Sequence, residues 1–412
     1  MLVQIGKNAK NASLSLSIAT TEEKNRLLKA IANAIIGNTE EILKANKIDL
    51  ENGKNNGMPQ SLLDRLMLDG DRVKGMAQGV LDVSKLPDPV GKVLWETERP
   101  NGLKIKRVSV PLGVVGIIYE ARPNVTCDAI ALCIKSGNVC ILRGGKEAFN
   151  SNAKITDIIR DAIKNEGFNP DIAELVRDTT RESSNEMMKM NEYIDVLIPR
   201  GGASLINAVI KNSTVPVIQT GVGNCHIYID KMADLEKALN IVLNAKTQRV
   251  SVCNTAESLV VHKSVAEKVL PMIFDTLSQK GVTFYGDDKA LKICPKMGKA
   301  TEDDFAREYL DYKMSVKVAE SLDDAIMHIR KYSTGHSESI VTESTERAEK
   351  FLNSIDSSAV YHNASTRFTD GGEFGFGAEI GISTQKLHAR GPLGLPQLTS
   401  FKYKIYGNGQ IR

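Results

Sequence analysis

The sequence lacks the cysteine patterns of disulfide-rich and zinc-binding proteins. None of its six cysteines forms a C-x-x-C pair, and their spacing matches no zinc site. Cys133, Cys140 and Cys294 each directly follow an apolar residue, which predicts small side chains of the core. We therefore expect free thiols in a reducing compartment and a cytoplasmic location.

Long apolar runs, metal-ligand motifs and an excess of one charge are missing as well. The longest apolar runs, such as residues 113–118, are far shorter than the ~20 residues of a membrane helix. The six histidines form no H-E-x-x-H pattern, so no metal site is predicted. Lys and Arg number 53 against 50 Asp and Glu, which leaves a formal net charge of +3. This balance gives no reason to expect a nucleic acid or a membrane surface as partner.

The first part of the chain has helical patterns. At 412 residues the chain is too long for one core, which predicts two or three domains. Thr20 and Glu23 form a capping box in front of apolar residues at helical spacing. Further helices are predicted at 39–47 and 60–83.

From residue 103 onwards, strand patterns alternate with helical ones. This order predicts the α/β class, with two doubly wound α/β domains of mostly parallel sheets and a small additional β element. The tail at 399–406 alternates as an exposed edge strand does, and a partner subunit is the natural cover for it. The other strands are predicted at 103–110, 113–119, 139–142, 194–199, 215–218, 226–229, 258–262, 282–285, 315–318, 339–341 and 359–361.

Cys253 lies in a largely polar run, 244–257, between a predicted helix and a predicted strand. Hydroxyls, amides and the nearby Arg249 suit a thiolate that is accessible and stabilised. A buried packing role is the alternative, because free cysteine is among the most buried residue types.

The chain has no G-x-G-x-x-G fingerprint, but two glycine pairs follow predicted strands. Gly144-Gly145 and Gly201-Gly202 could let a ligand approach the backbone, or could form ordinary turns. Asn124 opens a predicted helix, where its amide could stabilise an oxyanion or simply cap the helix.

Five segments, 111–126, 141–146, 220–226, 245–254 and 366–391, together resemble the aldehyde dehydrogenase superfamily, and within it the gamma-glutamyl phosphate reductases. The likeness covers essentially the whole chain. Its one visible departure is a valine at position 250, where that family has a proline.

The resemblance implies an NADPH-dependent reduction of L-glutamyl 5-phosphate to L-glutamate 5-semialdehyde, the second step of proline biosynthesis from glutamate. It implies Cys253 as the nucleophile that carries a thioester, and Asn124 as the oxyanion-stabilising amide. The implied cofactor-binding residues are Arg143, Lys146, Gly201, Gly202 and Glu308, of which Glu308 resembles the glutamate that binds the nicotinamide ribose.

Two positions refine this expectation. Where oxidising relatives carry a water-activating glutamate, residues 219–223 contain no carboxylate, which fits a thioester that exchanges with phosphate. Lys146 stands near the position where NAD-using relatives often place an acid, so a 2′-phosphate and hence NADPH are expected. The alternative for Lys146 is a solvated surface lysine.

The substrate carries a carboxylate and a phosphate, for which Arg122, Arg367 and Arg390 are candidate partners. Each of these arginines could instead be structural or surface-exposed.

The implied domain order is a nucleotide-binding domain at 1–225, with a helical N-terminal part and an excursion to the oligomerisation element near 99–112. A catalytic domain at 226–362, a return loop over the site at 363–398 and an oligomerisation strand at 399–412 follow. A homo-oligomer (dimer or higher) and a functional link to glutamate 5-kinase are expected.

Other functions remain open. The chain could reduce another acyl phosphate or an acyl-CoA, bind nucleotide without catalysis, or act as a thiol redox sensor with Cys225 as the resolving cysteine.

Overall fold

The computed structural model describes residues 2–412, apart from the side chain of Ser61, and it divides them into two compact units. The first unit comprises the chain up to Thr220 together with Gly375–Gly381 and Leu393–Arg412. The second comprises Gly221–Phe374 and Ile382–Pro392. Segments of the predicted return loop therefore belong to both units.

The helices of the described residues are α1 Leu2–Leu16, α2 Thr21–Gly37, α3 Thr39–Asn55, α4 Gln60–Leu66, α5 Gly70–Lys85, α6 Asn124–Lys135, α7 Phe149–Asn165, α8 Arg181–Met187, α9 Ala203–Asn212, α10 Leu235–Thr247, α11 Lys263–Ser278, α12 Asp288–Ile293, α13 Glu302–Ala306, α14 Leu322–Tyr332 and α15 Thr345–Ser354. The strands are β1 Val93–Glu98, β2 Lys104–Pro111, β3 Val114–Tyr119, β4 Val139–Gly144, β5 Ala173–Leu175, β6 Val196–Arg200, β7 Cys225–Ile229, β8 Ala256–His262, β9 Thr283–Gly286, β10 Gly298–Lys299, β11 Lys313–Ala319, β12 Ser337–Val341, β13 Ala359–His362, β14 Ile382–Ser383, β15 Gly391–Pro392 and β16 Thr399–Tyr406.

The prediction of one helix at 60–83 is wrong, because two helices, α4 and α5, occupy this stretch. Asp69 begins the second one, since its side chain accepts a hydrogen bond of 2.7 Å from the backbone N–H of Arg72. An N-cap of this kind stabilises a new helix start in the middle of a continuous periodic pattern.

The prediction of a strand at 215–218 is also wrong. Only Val217 forms an isolated bridge, opposite Leu197 of β6. Pro216 accepts a 2.8 Å hydrogen bond from the backbone N–H of Leu197 but has no N–H to donate in return. This missing donor interrupts the ladder.

The first unit contains a four-stranded parallel sheet in the order β5-β4-β3-β6. Every residue of the central strand β3 is buried, and α6 and α7 connect neighbouring strands. The carboxyl ends of parallel strands meet at one edge. Asn124, Lys146 and Gly202 follow the ends of β3, β4 and β6, so the fold gathers these candidate residues at that edge.

A second sheet of the first unit is small and antiparallel, in the order β1-β2-β16. β16 covers the same residues that the sequence predicted, and it pairs along its full length with β2. Most residues of β1 and β16 are exposed. This sheet therefore has little cover from the chain that forms it.

The second unit contains a seven-stranded parallel sheet in the order β10-β9-β11-β8-β7-β12-β13. Side chains alternate between its faces. Ile227 and Ile229 of β7 pack into the core formed with α10, α11 and α12, while Tyr228 packs with α14 and α15. Both units thus have the predicted α/β architecture with parallel sheets. Among the described residues, no helix is long and apolar enough to cross a membrane.

Candidate active site

Cys253 lies in the turn between the end of α10 and the start of β8 in the second unit. Thr255 closes this turn, because its backbone N–H donates to the carbonyl of Val252 (3.2 Å) and its hydroxyl to the carbonyl of Arg249 (2.7 Å). The Cys253 side chain is half-buried, whereas the five other cysteines are buried. The only cysteine that a reagent in solvent can readily reach is therefore the one in the polar turn.

Gly223 and Cys225 support the backbone of Cys253. A Cβ atom at Gly223 would overlap the carbonyl oxygen of Cys253, so the position tolerates only glycine. The buried thiol of Cys225 donates to the same oxygen over 3.2 Å. Burial raises the pKa of the Cys225 thiol, and nearby acidic charges raise it further. A buried, protonated thiol is a poor resolving cysteine, which argues against the redox-sensor alternative.

Arg367 is held against the nucleophile turn by the residue that follows Cys253. Its guanidinium donates to the side-chain oxygen of Asn254, and its Nε donates to the side-chain oxygen of Gln248 over 3.0 Å. The Asn254 amide nitrogen in turn donates to the carbonyl of Thr369 (3.0 Å), and the Thr366 hydroxyl donates to the carbonyl of Asn254 (2.7 Å). The glycine- and hydroxyl-rich loop is thereby anchored beside Cys253.

Charges around Arg367 link it electrostatically to the thiol. Burial lowers the pKa of the Arg367 guanidinium, whereas the negative charges of Asp370 and of the Cys253 thiolate raise it. Since this attraction is mutual, Arg367 favours the anionic form of Cys253. The positive charge of Arg249 repels that of Arg367 and lowers the pKa of Arg367 further.

Glu308 accepts a 2.7 Å hydrogen bond from the backbone N–H of Gly223, the glycine beneath Cys253. A buried ion pair lies close by, in which Lys246 Nζ is 2.6 Å from Glu257 Oε2 and both side chains are fully inaccessible. The sequence reasoning missed this pair. Glu257, as a charged residue at the start of an apolar strand, was the available signal.

Asn124 is the first residue of α6 in the first unit, with Pro123 at the N-cap position. Its exposed side chain does not cap the helix but donates to Asp128 Oδ2 over 3.1 Å. Burial raises the pKa of Asp128 to about 6, although Asn124 and Arg200 oppose this shift. The helix-cap alternative for Asn124 is therefore excluded, and the sequence reasoning did not identify Asp128.

Groups at the other strand ends of the first unit form hydrogen bonds within the protein. The backbone N–H of Gly202, at the start of α9, donates to the Glu120 carboxylate over 3.0 Å, and a Cβ atom at Gly201 would collide with that side chain. Arg143 donates to the carbonyls of Thr179 (2.6 Å) and Thr180 (2.8 Å), which ties β4 to the start of α8. These bonds favour a structural role for Arg143.

A cavity of about 810 Å³ opens at this edge of the first unit. Its lining includes residues of the α3–α4 connection, three basic side chains and three acidic ones (Arg65, Arg122, Lys146, Asp49, Glu120 and Glu147). The volume lies within the usual range for ligand pockets. Arg122 and Lys146, which the sequence assigned to different ligands, thus share one cavity.

Arg390, the third candidate arginine, forms an ion pair with Asp356 in the connection between α15 and β13. Its Nη1 lies 2.8 Å from the carboxylate, and its Nη2 donates to the backbone carbonyl of the same residue over 2.6 Å. These contacts favour the structural role that the sequence left open.

Comparison with known proteins gives matches along the whole chain. The protein-family model described as the aldehyde dehydrogenase family matches residues 3–310. The gamma-glutamyl phosphate reductase of Clostridium novyi (strain NT) is 57% identical over 411 residues, covering 100% of this chain and 99% of that protein. The crystal structure of gamma-glutamyl phosphate reductase from Thermotoga maritima superimposes with a TM-score of 0.98 at 49% identity, over 100% of this chain and 99% of that one. An acetylating aldehyde dehydrogenase from Geobacillus thermoglucosidasius has a TM-score of 0.70 at 17% identity, over 100% and 97% of the two chains, which indicates a shared fold alone.

Proposed function

The chain belongs to the aldehyde dehydrogenase family, and on that premise we propose that it catalyses the gamma-glutamyl phosphate reductase reaction. This reaction is the NADPH-dependent reduction of L-glutamyl 5-phosphate to L-glutamate 5-semialdehyde with release of phosphate, the second step of proline biosynthesis from glutamate. The observation that carries the proposal is the half-buried Cys253 in a turn backed by Gly223 and flanked by Arg367.

In the first half-reaction, the Cys253 thiolate attacks the acyl carbon of the substrate. Arg367 favours this thiolate, because its cation attracts the sulfur charge. The backbone N–H of Cys253 and the amide of Asn124 are the proposed donors to the oxyanion that forms, with Asn124 assigned from the family resemblance. Collapse of this intermediate breaks the C–O bond to phosphate and leaves a thioester on Cys253.

In the second half-reaction, the thioester must persist until it is reduced, and bound NADPH would supply the hydride. Residues 219–223 present no carboxylate that could activate water. The Thr220 hydroxyl donates to the carbonyl of Pro199 over 2.7 Å. Without a general base at this position, hydrolysis of the thioester is slow relative to reduction. The thiohemiacetal then expels the thiolate and releases the aldehyde.

The cofactor assignment rests on chemical fit at the edge of the parallel sheet in the first unit. The cavity there has a size that suits a nucleotide, and the basic side chains in its mixed-charge lining include Lys146, which can pair with a phosphate. We assign Lys146, whose side chain is exposed, to the 2′-phosphate. From the family resemblance we assign the backbone of Gly201 and Gly202 to the remainder of the nucleotide, which requires the Glu120 carboxylate to leave the Gly202 N–H. Glu308 of the second unit is assigned to the nicotinamide ribose. Of these assignments, that of Lys146 to the 2′-phosphate is the one that selects NADPH over NADH.

Among the three candidate arginines, Arg367 is the one that we assign to an anionic group of the substrate, because it lies beside the nucleophile turn. Arg122 shares the cavity with Lys146, and Arg390 is paired with Asp356. The substrate is itself the product of an acyl-phosphate-forming kinase, which is the basis for the proposed link to glutamate 5-kinase. The six free thiols favour a cytoplasmic location.

The decisive experiment compares acyl donors with the full-length enzyme. NADPH oxidation is followed with L-glutamyl 5-phosphate, aspartyl phosphate and an acyl-CoA, for the native enzyme and for Cys253→Ala. We expect turnover with glutamyl phosphate alone, and no turnover in the variant although it still binds NADPH. Turnover with acyl-CoA in preference would identify a related reductase instead, and activity in Cys253→Ala would refute the nucleophile assignment.

A further inference from the structure

The buried ion pair between Lys246 and Glu257 has no part in the chemistry described above. Lys246 lies in the last turn of α10 and Glu257 at the start of β8, and both side chains are fully inaccessible to solvent. The free energy of removing two charges from water offsets much of their mutual attraction. Such a pair is therefore weak evidence for a stabilising role. A role for the pair must come from what else its atoms contact.

The second carboxylate oxygen of Glu257 makes that further contact. Oε1 accepts a 3.1 Å hydrogen bond from the backbone N–H of Leu310. Leu310 has a φ of 52°, a left-handed conformation that is unfavourable for a residue with a branched side chain. By accepting this hydrogen bond, the Glu257 carboxylate holds a strained residue in place.

Leu310 is only two residues from Glu308, and Glu308 contacts the support of the nucleophile. Glu308 Oε1 accepts from the N–H of Gly223, and Gly223 packs directly on the carbonyl of Cys253. A continuous series of contacts thus joins the buried pair, the Glu308 turn and the nucleophile turn. All of its members lie in the second unit.

We propose that Glu257 is a positioning residue, which orients Glu308 for the nicotinamide ribose by fixing the backbone at Leu310. Lys246 keeps the Glu257 carboxylate compensated in its buried site. This inference rests on the proposed function, since it takes Glu308 to be a cofactor-binding residue.

The ionisation of the pair agrees with this division of roles. Burial raises the pKa of Glu257 to about 7, and the charge of Lys246 opposes that shift. Burial also lowers the pKa of Lys246, which Glu257 opposes. Each partner therefore favours the charged form of the other against the effect of burial. Replacing both together avoids leaving an unpaired buried charge.

The test uses two double variants of the full chain that differ by one methylene group. Lys246→Met with Glu257→Gln keeps a carbonyl oxygen within reach of the Leu310 N–H, whereas Lys246→Met with Glu257→Asn withdraws it by about 1.5 Å. Dissociation constants are measured for NADPH and for 2′,5′-ADP, which lacks the nicotinamide half. We expect the Asn variant to bind NADPH about 10-fold more weakly, with 2′,5′-ADP changed by less than about 2-fold. The Gln variant should bind both as the native enzyme does.

A matched control removes another ion pair of the second unit, in which the carboxylate is buried and the guanidinium half-buried. Arg347 pairs with Asp230, which directly follows the last residue of β7, whereas Cys225 is the first residue of that strand. The variant Arg347→Met with Asp230→Asn should leave the ratio of the two dissociation constants unchanged. A general loss of stability would alter the affinities for both ligands or for neither. The ratio of the two dissociation constants therefore separates positioning from structural damage. If the Lys246→Met background does not fold, the same Gln and Asn replacements are compared with Lys246 intact.

Glu308→Ala serves as the reference, because it should itself weaken NADPH binding and spare 2′,5′-ADP. If Glu308→Ala shows this split and the Asn variant does not, the inference about Glu257 is overturned while the proposed function stands. If Glu308→Ala shows no split, Glu308 does not contact the nicotinamide half, and the cofactor assignment and this inference both fail.

Discussion

At the scale of single residues, the proposed chemistry depends on how closely the backbone of the second unit packs beneath Cys253. Gly223→Ala would place a methyl group on the carbonyl oxygen of Cys253, so the nucleophile turn must shift. A shift of that order in a reacting group can cost about 100-fold in rate. We therefore expect kcat with glutamyl phosphate to fall about 100-fold in this variant, measured under saturating NADPH.

The control for this substitution is Gly75→Ala, at a helical position of α5 with nothing within 4 Å of the added carbon. Alanine is favoured over glycine in a helix interior, so this variant should keep full activity. Full activity in Gly223→Ala as well would show that the turn tolerates displacement and that Gly223 does not position the nucleophile.

Lys146 tests the cofactor assignment. Lys146→Glu exchanges attraction of a 2′-phosphate for repulsion, so the ratio of kcat/KM for NADPH over NADH should fall by about 10- to 100-fold. The change in preference, rather than in overall rate, is the measurement. Lys164→Glu, an exposed residue at the end of α7, makes the same change in net charge and should leave the ratio as it is. An unchanged ratio in Lys146→Glu would return Lys146 to an ordinary surface role.

Residues differ in how far the sequence alone could identify them. The polar and accessible setting of Cys253 could be predicted, because its polar neighbours in the chain are also its neighbours in space. Gly223 and Asp128 could not, since their significance lies in contacts with residues distant in the sequence or one helical turn away. Glu257 was recognisable only as a charged residue at the start of an apolar strand, because Leu310, which donates to it, is 53 residues away. Arg390 could be taken for a substrate-binding residue because no local pattern indicates its ion pair with Asp356, which is 34 residues away.

At the scale of elements, α14 packs an imidazole into the interior of the second unit. His328 lies edge-on to Phe305 of α13 (5.0 Å between ring centres) and to His226 of β7 (6.0 Å). Burial lowers the pKa of His328 to about 3, and the charges of His226, Lys317 and Lys331 lower it further, against Glu302. The folded state therefore holds this imidazole neutral.

This ionisation predicts a loss of stability in acid. Because the folded pKa lies below the unfolded value of about 6.5, the contribution is complete above that pH and is lost as the pH falls towards 3. By pH 5 the free energy of unfolding has fallen by about 2 kcal/mol from this cause. His328→Phe should therefore lose about 2 kcal/mol less than the native protein between pH 7 and pH 5, measured as the urea midpoint by circular dichroism. His388→Phe, at an exposed position, should behave as the native protein does. Equal losses in His328→Phe and the native protein would contradict a buried neutral histidine.

Most strands could be predicted from the sequence because parallel strands buried on both faces have continuous apolar patterns. Helix α1 could not, since its apolar residues are mixed with small and polar ones. The break between α4 and α5 depends on one capping side chain within an otherwise periodic pattern.

At the scale of the whole molecule, strand order was beyond sequence reasoning. The order of the seven-stranded sheet joins β8 to β11 and β7 to β12, pairs that are separated by other elements along the chain. Such pairing is decided by packing of whole faces rather than by local patterns.

The antiparallel sheet of β1, β2 and β16 exposes several large apolar side chains. Tyr403 is 54% exposed and Ile405 60% exposed, and Trp95 and Phe401 on the same sheet are also exposed. An apolar sheet with an open edge is a surface that a second copy of the chain would cover. We expect the native protein to be a homo-oligomer in solution and Ile405→Asp to lower its mass, measured by light scattering after size exclusion.

The control is Met327→Asp, an exposed apolar position on α14 in the other unit. The same charge introduced there should leave the mass unchanged, because an isolated exposed methionine is not part of a contiguous apolar surface. If Ile405→Asp keeps the native mass, or if both variants lose it equally, the oligomer contact lies elsewhere.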